Sequence, residues 1–304
     1  MLRTMMLKMA RNESFTDLVS FAGRKSGMVD RFVAGKTLEE AVPVVREFSS
    51  HGIRSTLDLL GEGVTRADEA KEMAGRYLQA LQGIDDFELG STISLKLTQL
   101  GLEFDPDLCR ENLRNILQAA VEYGNFVRID MESSSVTQST LDVYRELAAE
   151  FGNQYVGIVI QAYLYRSEKD VEELCRTGSN IRLCKGAYME PESVAFPRKS
   201  DVDRNFTRLA EMMLASEGFA AIATHDEKMI RHTRAFAAQQ GIPESSFEFQ
   251  MLYGVRRDLQ YKLREDGFNV RVYVPFGTQW APYYVRRLAE RPANMVFMMK
   301  NFFR

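Results

Sequence analysis

The sequence alternates eight times between a short apolar run and a longer stretch whose apolar residues recur at helical spacing. Several of the runs are almost continuously apolar, which is typical of parallel strands buried on both faces. The runs are Ser55–Gly61, Thr92–Leu100, Phe126–Met131, Tyr155–Tyr163, Ile181–Tyr188, Phe219–Thr224, Phe247–Leu252 and Val270–Phe276. Such alternation predicts an α/β fold, a closed (βα)8 TIM barrel. Periodicity does not report closure, so an open doubly wound sheet remains an alternative.

The stretches between the runs have the apolar spacing of amphipathic helices. They are Ala67–Leu81, Leu108–Tyr123, Leu141–Phe151, Val171–Arg176, Val202–Leu214, Lys228–Gln240, Arg257–Glu265 and Tyr283–Arg291. Asp107 and Thr137 provide helix-start signals at two of the joins. Residues 14–50 also look helical, with an interruption expected at Pro43. We therefore predict an N-terminal helical arm over residues 1–50 and a barrel domain over residues 51–304.

Composition excludes several classes of protein. The chain has 304 residues and a formal charge of −3, so it lacks the basic footprint of a nucleic-acid-binding protein. Hydrophobic residues make up 45% of the sequence, which excludes a disordered chain. The sequence has no apolar run long enough to span a membrane, and its 3 cysteines are too few for a disulfide framework. These features predict a reduced, cytoplasmic protein; the basic, Met-rich N-terminus favours at most peripheral membrane contact.

Several familiar chemistries have no motif in the sequence. The 3 histidines form neither His-x-His nor His-Glu-x-x-His, so no metal site is expected. Neither the Gly-x-Gly-x-x-Gly fingerprint of dinucleotide-binding folds nor the Gly-x-Ser-x-Gly elbow of serine hydrolases is present.

Polar side chains at the ends of the predicted strands mark the expected site, because barrel enzymes build it at the C-terminal ends of their strands. Lys96 and Asp130 lie within otherwise apolar strands, where a charge is costly unless it is paired. If both point into the barrel mouth, they can neutralise each other. Other candidates at these ends are Glu62, Gln161, Arg182, Lys185, Tyr188, His225, Gln250 and Tyr273.

The last predicted helix carries two adjacent arginines. Tyr283, Arg286 and Glu290 share one face of this helix through their spacing of three and four residues. A guanidinium suits bidentate capture of a carboxylate. Arg287 points about 100° away around the helix and can serve a different ligand, such as a phosphate.

Eight motifs, in order along residues 15–304, resemble the proline dehydrogenase family, and the chain length is similar to that of its stand-alone bacterial form. They are Leu57–Glu62 (LDLLGE), Ser94–Leu97 (SLKL), Ile160–Tyr163 (IQAY), Arg182–Tyr188 (RLCKGAY), Ala223–His225 (ATH), Phe247–Gly254 (FEFQMLYG), Arg271–Gly277 (RVYVPFG) and Tyr283–Asn294 (YYVRRLAERPAN). The resemblance implies an FAD enzyme on a distorted barrel whose last helix covers the mouth. The implied reaction oxidises L-proline to Δ1-pyrroline-5-carboxylate by hydride transfer to flavin N5. The implied electron acceptor is a membrane quinone.

The resemblance also implies roles for individual residues. Arg286 and Arg287 hold the proline carboxylate with help from Lys96, and Glu62 pairs with Arg286 as a gate. The implied packing around the proline ring uses Leu252, Tyr273 and Tyr283, while Asp130 pairs with Lys96. Arg182 reaches flavin N5 and Gln161 its pyrimidine edge. The remaining implied cofactor contacts are Asp130, Met131, Cys184, Lys185, Gly186, Ala187, Tyr188, Thr224, His225, Arg287 and Glu290.

Two positions depart from the family pattern. Cys184 stands where the family often has Val, and we expect it to be a small buried hydrophobe rather than a redox centre. Asp226 stands where Asn is often found, and its negative charge near the adenosine arm would weaken or retune FAD binding.

Two other functions remain as alternatives. A class I aldolase would use Lys96 or Lys185 to form a Schiff base. A barrel that binds a ligand without catalysis is the other alternative, and the pair Arg286–Arg287 with Lys96, Asp130 and Tyr283 argues against it.

Overall fold

Eight parallel strands form a closed barrel in which each strand pairs with its sequence neighbours and β8 pairs with β1. The computed structural model describes residues 29–61 and 63–290, without the side chains of residues 286 and 288–290. The strands are β1 (Arg54–Leu59), β2 (Thr92–Leu95), β3 (Val127–Ile129), β4 (Val156–Gln161), β5 (Ile181–Cys184), β6 (Ala220–Ala223), β7 (Phe247–Leu252) and β8 (Asn269–Phe276). The predicted (βα)8 barrel is confirmed, and the alternative of an open sheet is wrong.

The described helices surround this barrel, one before β1 and one after each strand. They are α1 (Leu38–Ser50), α2 (Ala67–Asp86), α3 (Pro106–Glu122), α4 (Thr137–Phe151), α5 (Ser167–Arg176), α6 (Lys199–Leu214), α7 (Glu227–Gln239), α8 (Arg257–Glu265) and α9 (Ala281–Glu290). Asp105 caps α3 by accepting a hydrogen bond from the Leu108 amide at 3.0 Å, so the cap lies two residues before Asp107, the predicted start.

Most strands are shorter than their apolar runs predicted, and β2 and β5 differ most. The second strand ends at Leu95, and Leu97–Leu100 form a 3₁₀ turn in which the Gln99 side chain accepts from the Lys96 amide at 3.2 Å. The fifth strand ends at Cys184, two residues before Gly186 adopts a φ of +106° that breaks the extended conformation. In both places the residues after the strand are freed to build loops at the C-terminal end of the barrel.

The expected interruption at Pro43 is wrong. Pro43 lies inside α1, whose residues Leu38, Val42, Val45 and others are buried. Proline lacks the N–H that would bond the carbonyl of Glu39, and Glu39 is exposed, so water can satisfy that oxygen. Burial of one apolar face of α1 outweighs the missing hydrogen bond.

Residues of each strand alternate between the helix layer and the barrel interior. Leu57, Leu95 and Ile129 belong to the hydrophobic core between strands and helices. Their neighbours point inward: the Thr56 and Ser94 hydroxyls lie 3.2 Å apart, and Arg182 donates to Ser94 at 2.9 Å across the interior. The interior of this barrel is therefore unusually polar.

Helix α9 packs near the C-terminal end of β1. Tyr283, Tyr284 and Val285 share a small hydrophobic cluster with Leu60, which follows β1, and with Val29–Val33 before α1. This packing brings the helix that carries both arginines to the end of the barrel where a site is expected.

Candidate active site

A network of charged side chains lies at the C-terminal ends of β1, β2, β3, β5 and β8. Lys96 Nζ lies 2.9 Å from Asp58 Oδ1 and 3.5 Å from Asp130 Oδ2. Tyr273 donates its hydroxyl to Asp130 Oδ2 at 2.7 Å, and Arg182 Nη1 lies 2.8 Å from Asp130 Oδ1. The predicted contact between Lys96 and Asp130 is present, but the closest partner of Lys96 is Asp58.

This network contains two cations and two carboxylates and is nearly excluded from solvent. The side chains of Lys96 and Asp130 are 11% and 12% exposed, and that of Asp58 is 1% exposed. Close pairing is the condition under which such charges are tolerated. The four charges neutralise one another, so a charged ligand must be bound by additional groups.

Electrostatic interactions determine which side chains of the network are protonated. Burial lowers the pKa of Lys96, but the nearby carboxylates of Asp58 and Asp130 outweigh burial and keep the pKa well above its ordinary value. Burial, and then the carboxylates of Asp130 and Asp58, raise the pKa of Tyr273 well above its ordinary value. Lys96 is therefore an ammonium and Tyr273 a neutral phenol at physiological pH.

Polar side chains below and beside the network hold it in place. Arg182 Nη2 donates to Ser94, and its guanidinium carbon lies 5.3 Å from the centroid of the Tyr273 ring, a cation–π distance. Behind Lys96, the Tyr77 hydroxyl donates to Gln99 Oε1 at 2.7 Å, and Gln99 Nε2 donates to the carbonyl of Gly61 at 2.8 Å. These contacts fix the loops that follow β1 and β2.

Gln161, at the end of β4, presents an unsatisfied amide oxygen. Its Nε2 donates to the carbonyl of Met131 at 3.1 Å, and among the described residues its buried Oε1 has no hydrogen-bond partner. A buried acceptor without a partner costs free energy that a ligand donor would recover. Gln161 is therefore placed to recognise an N–H group.

The loop after β5 comes close to an aromatic ring. A Cβ on Gly186 would overlap the ring of Tyr163, and the positive φ of Gly186 also disfavours any other residue. The loop continues through Ala187 and Tyr188, which are half-buried. Burial raises the pKa of Cys184, at the start of the loop, to about 12. Its thiol is therefore protonated and unreactive, as expected for a packing residue.

Lys185 is held by two carboxylates. Its Nζ lies 2.5 Å from Asp203 on α6 and 2.8 Å from Asp226, which caps α7. Lys199 joins the cluster at 3.6 Å from Asp226. Burial raises the pKa of Asp226, but its hydrogen bonds with Lys185 and the Lys228 amide outweigh burial and lower it. Asp226 thus shares its charge with Lys185 as well as capping a helix.

The end of β6 is tied to the end of β7. The Leu252 amide donates to His225 Nε2 at 2.9 Å, so this nitrogen carries the lone pair. Thr224 is buried, and its hydroxyl accepts from the Asp226 amide at 3.1 Å. Leu252 and Tyr273 pair in register on β7 and β8, so their side chains lie side by side at the same end of the barrel.

On α9 the described side chains show an aromatic–cation pair. The Arg287 guanidinium carbon lies 5.2 Å from the centroid of the buried Tyr283 ring. The sequence spacing placed Tyr283 on the face of Arg286, and the structure shows that it also contacts Arg287, one turn further on. Glu62 and the side chains of Arg286 and Glu290 lie outside the described residues.

Sequence reasoning missed Asp58 and Asp203. Asp58 is a charged residue within an apolar strand, which is the same signal that singled out Asp130. The candidate selected near β1 was Glu62, which lies beyond the strand end. Asp203 lies on α6, and only the packing of this helix against β5 brings it to Lys185. Nothing in its helical pattern distinguishes it from a solvated surface aspartate.

Two further searches cover only the part of the chain that the structure describes. Over those residues, no three His, Cys, Asp or Glu side chains are grouped to hold a metal ion. The described helices include none that is both long and apolar enough to cross a membrane.

Comparison with known proteins gives consistent matches along the chain. The family model described as proline dehydrogenase matches residues 41–300. "Proline dehydrogenase 1" of Bacillus subtilis (strain 168) is 43% identical over 300 residues, which cover 99% of this chain and 98% of that protein. "Proline dehydrogenase" of Deinococcus radiodurans is 41% identical over 276 residues, covering 90% and 89% of the two chains.

A solved structure extends the likeness to the fold. The proline utilization A (PutA) protein of Bdellovibrio bacteriovorus, inactivated by N-propargylglycine, superposes with a TM-score of 0.82 at 28% identity. The match covers 87% of this chain but only 32% of that longer chain.

Proposed function

The chain belongs to the proline dehydrogenase family and is an oxidoreductase, and from this premise we propose the details of its reaction. It oxidises L-proline to Δ1-pyrroline-5-carboxylate with FAD as cofactor and passes the electrons to a membrane quinone. The observation that carries the proposal is the neutral network of Lys96, Asp58, Asp130 and Arg182 at the C-terminal end of the barrel.

The polar groups around this network suit a flavin. Gln161 offers an unsatisfied Oε1 to an N–H donor, and Gly186 keeps the loop after β5 free of a side chain. When bound, FAD supplies a two-electron acceptor for the hydride that leaves proline C5. Residues that would hold it are Met131, Gln161, Arg182, Cys184, Lys185, Gly186, Ala187, Tyr188, Thr224, His225, Arg287 and Glu290.

Arg182 would provide a cation beside the flavin. Asp130 and Ser94 already fix its two terminal nitrogens at 2.8 and 2.9 Å, so its position does not depend on the ligand. A fixed cation stabilises negative charge that develops on a neighbouring ring without any reorganisation.

The arginines of α9 would bind the substrate carboxylate. Because the network beneath is neutral, the extra positive charge comes from Arg286 and Arg287, which together can present several N–H donors to one carboxylate. Lys96 would contribute a further donor by exchanging one of its longer contacts: among the described residues, its Nζ lies 2.9 Å from Asp58 but 3.4 Å from the Tyr273 hydroxyl and 3.5 Å from Asp130. Tyr273, Tyr283 and Leu252 would enclose the proline ring, and Glu62 would close over it by pairing with Arg286.

The charge on Lys96 limits the chemistry that it can perform. As an ammonium beside Asp58, it can neither take the proton of the substrate amine nor act as the nucleophile of a Schiff base. This argues against the aldolase alternative and leaves Lys96 a role in charge balance and binding.

The visible spectrum of the purified protein tests the function. We expect a flavin spectrum that bleaches when L-proline is added without oxygen and returns when a soluble quinone is added. D-proline, which presents the same groups with the wrong geometry, is the control and should bleach it far more slowly. A flavin spectrum that L-proline leaves unchanged would contradict the substrate, and a colourless protein that binds no added FAD would contradict the cofactor.

Electron transfer to a membrane quinone requires transient contact with a membrane. The Met-rich, basic residues 1–10 are the segment that we assign to this contact. Turnover with vesicles that contain quinone should exceed turnover with the same quinone in detergent, and deletion of residues 1–10 should remove the difference. Equal rates in both settings would contradict the membrane contact while leaving the reaction itself intact.

A further inference from the structure

A polar cavity lies at the N-terminal end of the barrel, opposite the candidate active site. Its volume is about 220 Å³, several times the roughly 30 Å³ that one water occupies in the liquid. The barrels of this fold are normally filled there by branched apolar side chains. Here the lining includes Arg54, Thr92, Arg128, Arg182, Glu248 and Arg271.

The charges around this cavity do not balance among the described residues. Arg182 is matched by Asp130 above it, which leaves Arg54, Arg128 and Arg271 against the single carboxylate of Glu248. Glu248 is ionised: burial raises its pKa, but Arg271, Gln250 and Arg128 outweigh burial and lower it. Among the described residues, the lining therefore carries an excess of two positive charges around a half-open cavity.

The guanidinium of Arg128 is held rigidly at this place. Its Nη1 donates to the carbonyls of Ile158 and Asn180 at 3.1 and 2.6 Å, and its Nη2 donates to the Asn180 side chain. Gly157 on β4 makes room for it, because a Cβ there would overlap Arg128 Nη1. Burial, and then repulsion by Arg182, lower the pKa of Arg128 to about 9, so the cation persists at neutral pH at a free-energy cost.

Unpaired N–H groups remain beside the cavity after these contacts. Within the described part of the chain, the buried Nε atoms of Arg128 and Arg182 have no hydrogen-bond partner. Arg271 uses Nε for Glu248 at 2.8 Å and Nη1 for the Ser55 carbonyl at 3.0 Å. Arg54 lies opposite Arg271 in the strand register, and its side chain is 54% exposed, so it forms the solvent entrance.

We propose that this floor cavity, bounded by Arg54, Arg128, Arg271 and Glu248, is a binding site for a small oxyanion such as phosphate or sulfate. A tetrahedral oxyanion offers acceptors to several guanidinium donors at once and cancels the excess charge. The site opens at the end of the barrel opposite the proposed catalytic site, although Arg182 borders both, and its proposal does not depend on the proposed function. Because the anion binds only the folded barrel, it stabilises the fold.

Titration calorimetry with inorganic sulfate, at ionic strength held constant with chloride, tests the site. We expect saturable binding to the wild-type protein and a rise in Tm that saturates with it. Arg54→Gln should weaken binding by at least about tenfold, the factor that corresponds to about 1.4 kcal/mol. Arg54 is half exposed at a strand end, so this variant should fold. Arg176→Gln, an exposed arginine on α5 with its side chain 66% exposed, is the matched control and should bind sulfate as the wild type does.

A second variant tests the charge balance directly. Thr92 lines the cavity and accepts from Arg271 Nη1 at 3.3 Å, so Thr92→Asp would supply an internal counter-charge of similar size. Sulfate should then bind at least about tenfold more weakly. Absence of saturable binding to the wild-type protein, or equal sulfate affinity in wild type and Arg54→Gln, would overturn the proposal.

Discussion

Lys96 Nζ and Asp58 Oδ1 lie 2.9 Å apart at the ends of adjacent strands, with the carboxylate 1% and the ammonium side chain 11% exposed. This pair makes Asp58 as integral to the site as Asp130, although it lies one layer deeper. Because Asp58 holds Lys96 protonated, Lys96 presents an ammonium to the site rather than a neutral amine.

Asp58→Asn should therefore leave Lys96 with less compensation in a buried place. Removing one member of a buried ion pair costs about 3–5 kcal/mol, which urea unfolding would measure. We also expect kcat/KM for L-proline to fall about 100-fold in this variant. The reason is that a displacement of Lys96 by as little as 1 Å misplaces a group that binds the substrate. Asp107→Asn, whose side chain is 97% exposed beside Arg110, should change neither quantity. Wild-type stability in Asp58→Asn would contradict the role of the pair.

The hydroxyl of Tyr273 is predicted to position Asp130. Tyr273→Phe removes the donor at 2.7 Å from Asp130 Oδ2 and should cost about 1 kcal/mol of folding free energy. The apolar ring remains, so we expect kcat to fall more than KM rises. Tyr165→Phe, which loses only an exposed bond to the Glu192 carbonyl, is the control. Steady-state kinetics that are the same for both variants would refute the assignment.

The loop after β5 can be tested by adding one methyl group. Gly186→Ala must strain a backbone at φ +106° and push into the Tyr163 ring, so we expect a loss above about 1 kcal/mol and weaker FAD retention. Gly178→Ala is a matched control, because Gly178 has φ +63° but open space around its Cα. Equal losses of FAD in the two variants, measured by fluorescence titration, would show that the loop does not hold the cofactor.

The pair Lys185–Asp226 should contribute stability that depends on pH. The pKa of Asp226 is lowered in the folded protein from its ordinary value of 3.8. Its contribution is therefore fully present above pH 3.8 and is lost as the pH falls through the lower folded value. Asp226→Asn keeps the helix cap, costs under about 1 kcal/mol at neutral pH, and should flatten the acid limb of the stability curve.

Denaturant unfolding across the acid range measures this effect. Asp142→Asn, an exposed aspartate paired with Arg145, should leave the acid limb unchanged. If Asp226→Asn has the same acid limb as the wild type, the pair does not contribute as described.

Arg286 is predicted to bind the substrate carboxylate as a two-pronged donor. Arg286→Lys keeps the charge but loses the fork, so KM for L-proline should rise at least about tenfold with little change in the flavin spectrum. Arg176→Lys on the surface of α5 is the control. An unchanged KM in Arg286→Lys would remove Arg286 from the carboxylate clamp.

Glu62→Ala should also raise KM for L-proline while the protein keeps its flavin, because the gate acts on the substrate alone. Comparison with Glu69→Ala, an exposed glutamate on α2, separates this effect from a general loss of surface charge. A colourless Glu62→Ala protein would show that Glu62 supports the cofactor instead.

The pattern of apolar residues was sufficient for the order of strands and helices, but closure of the sheet into a barrel came from the tertiary structure. Eight strands and the helices between them follow from periodicities that depend only on neighbouring residues, and β7 matches its predicted bounds at both ends. Strand ends were less predictable, since β2 and β5 stop where side chains and a glycine make loop contacts rather than where hydrophobicity falls.

The sequence alone determined that charged residues such as Lys96, Asp130 and Arg182 sit in or directly after buried strands and therefore need partners. Only the tertiary structure decided which partners they have, because closure of the barrel brings together residues from strands far apart in the chain. Asp58 reaches Lys96, and Asp203 reaches Lys185, through packing that leaves no periodic trace in the sequence. The excess of arginines over carboxylates at the barrel floor is likewise visible only in the folded structure, where side chains of β1, β3, β7 and β8 line one cavity.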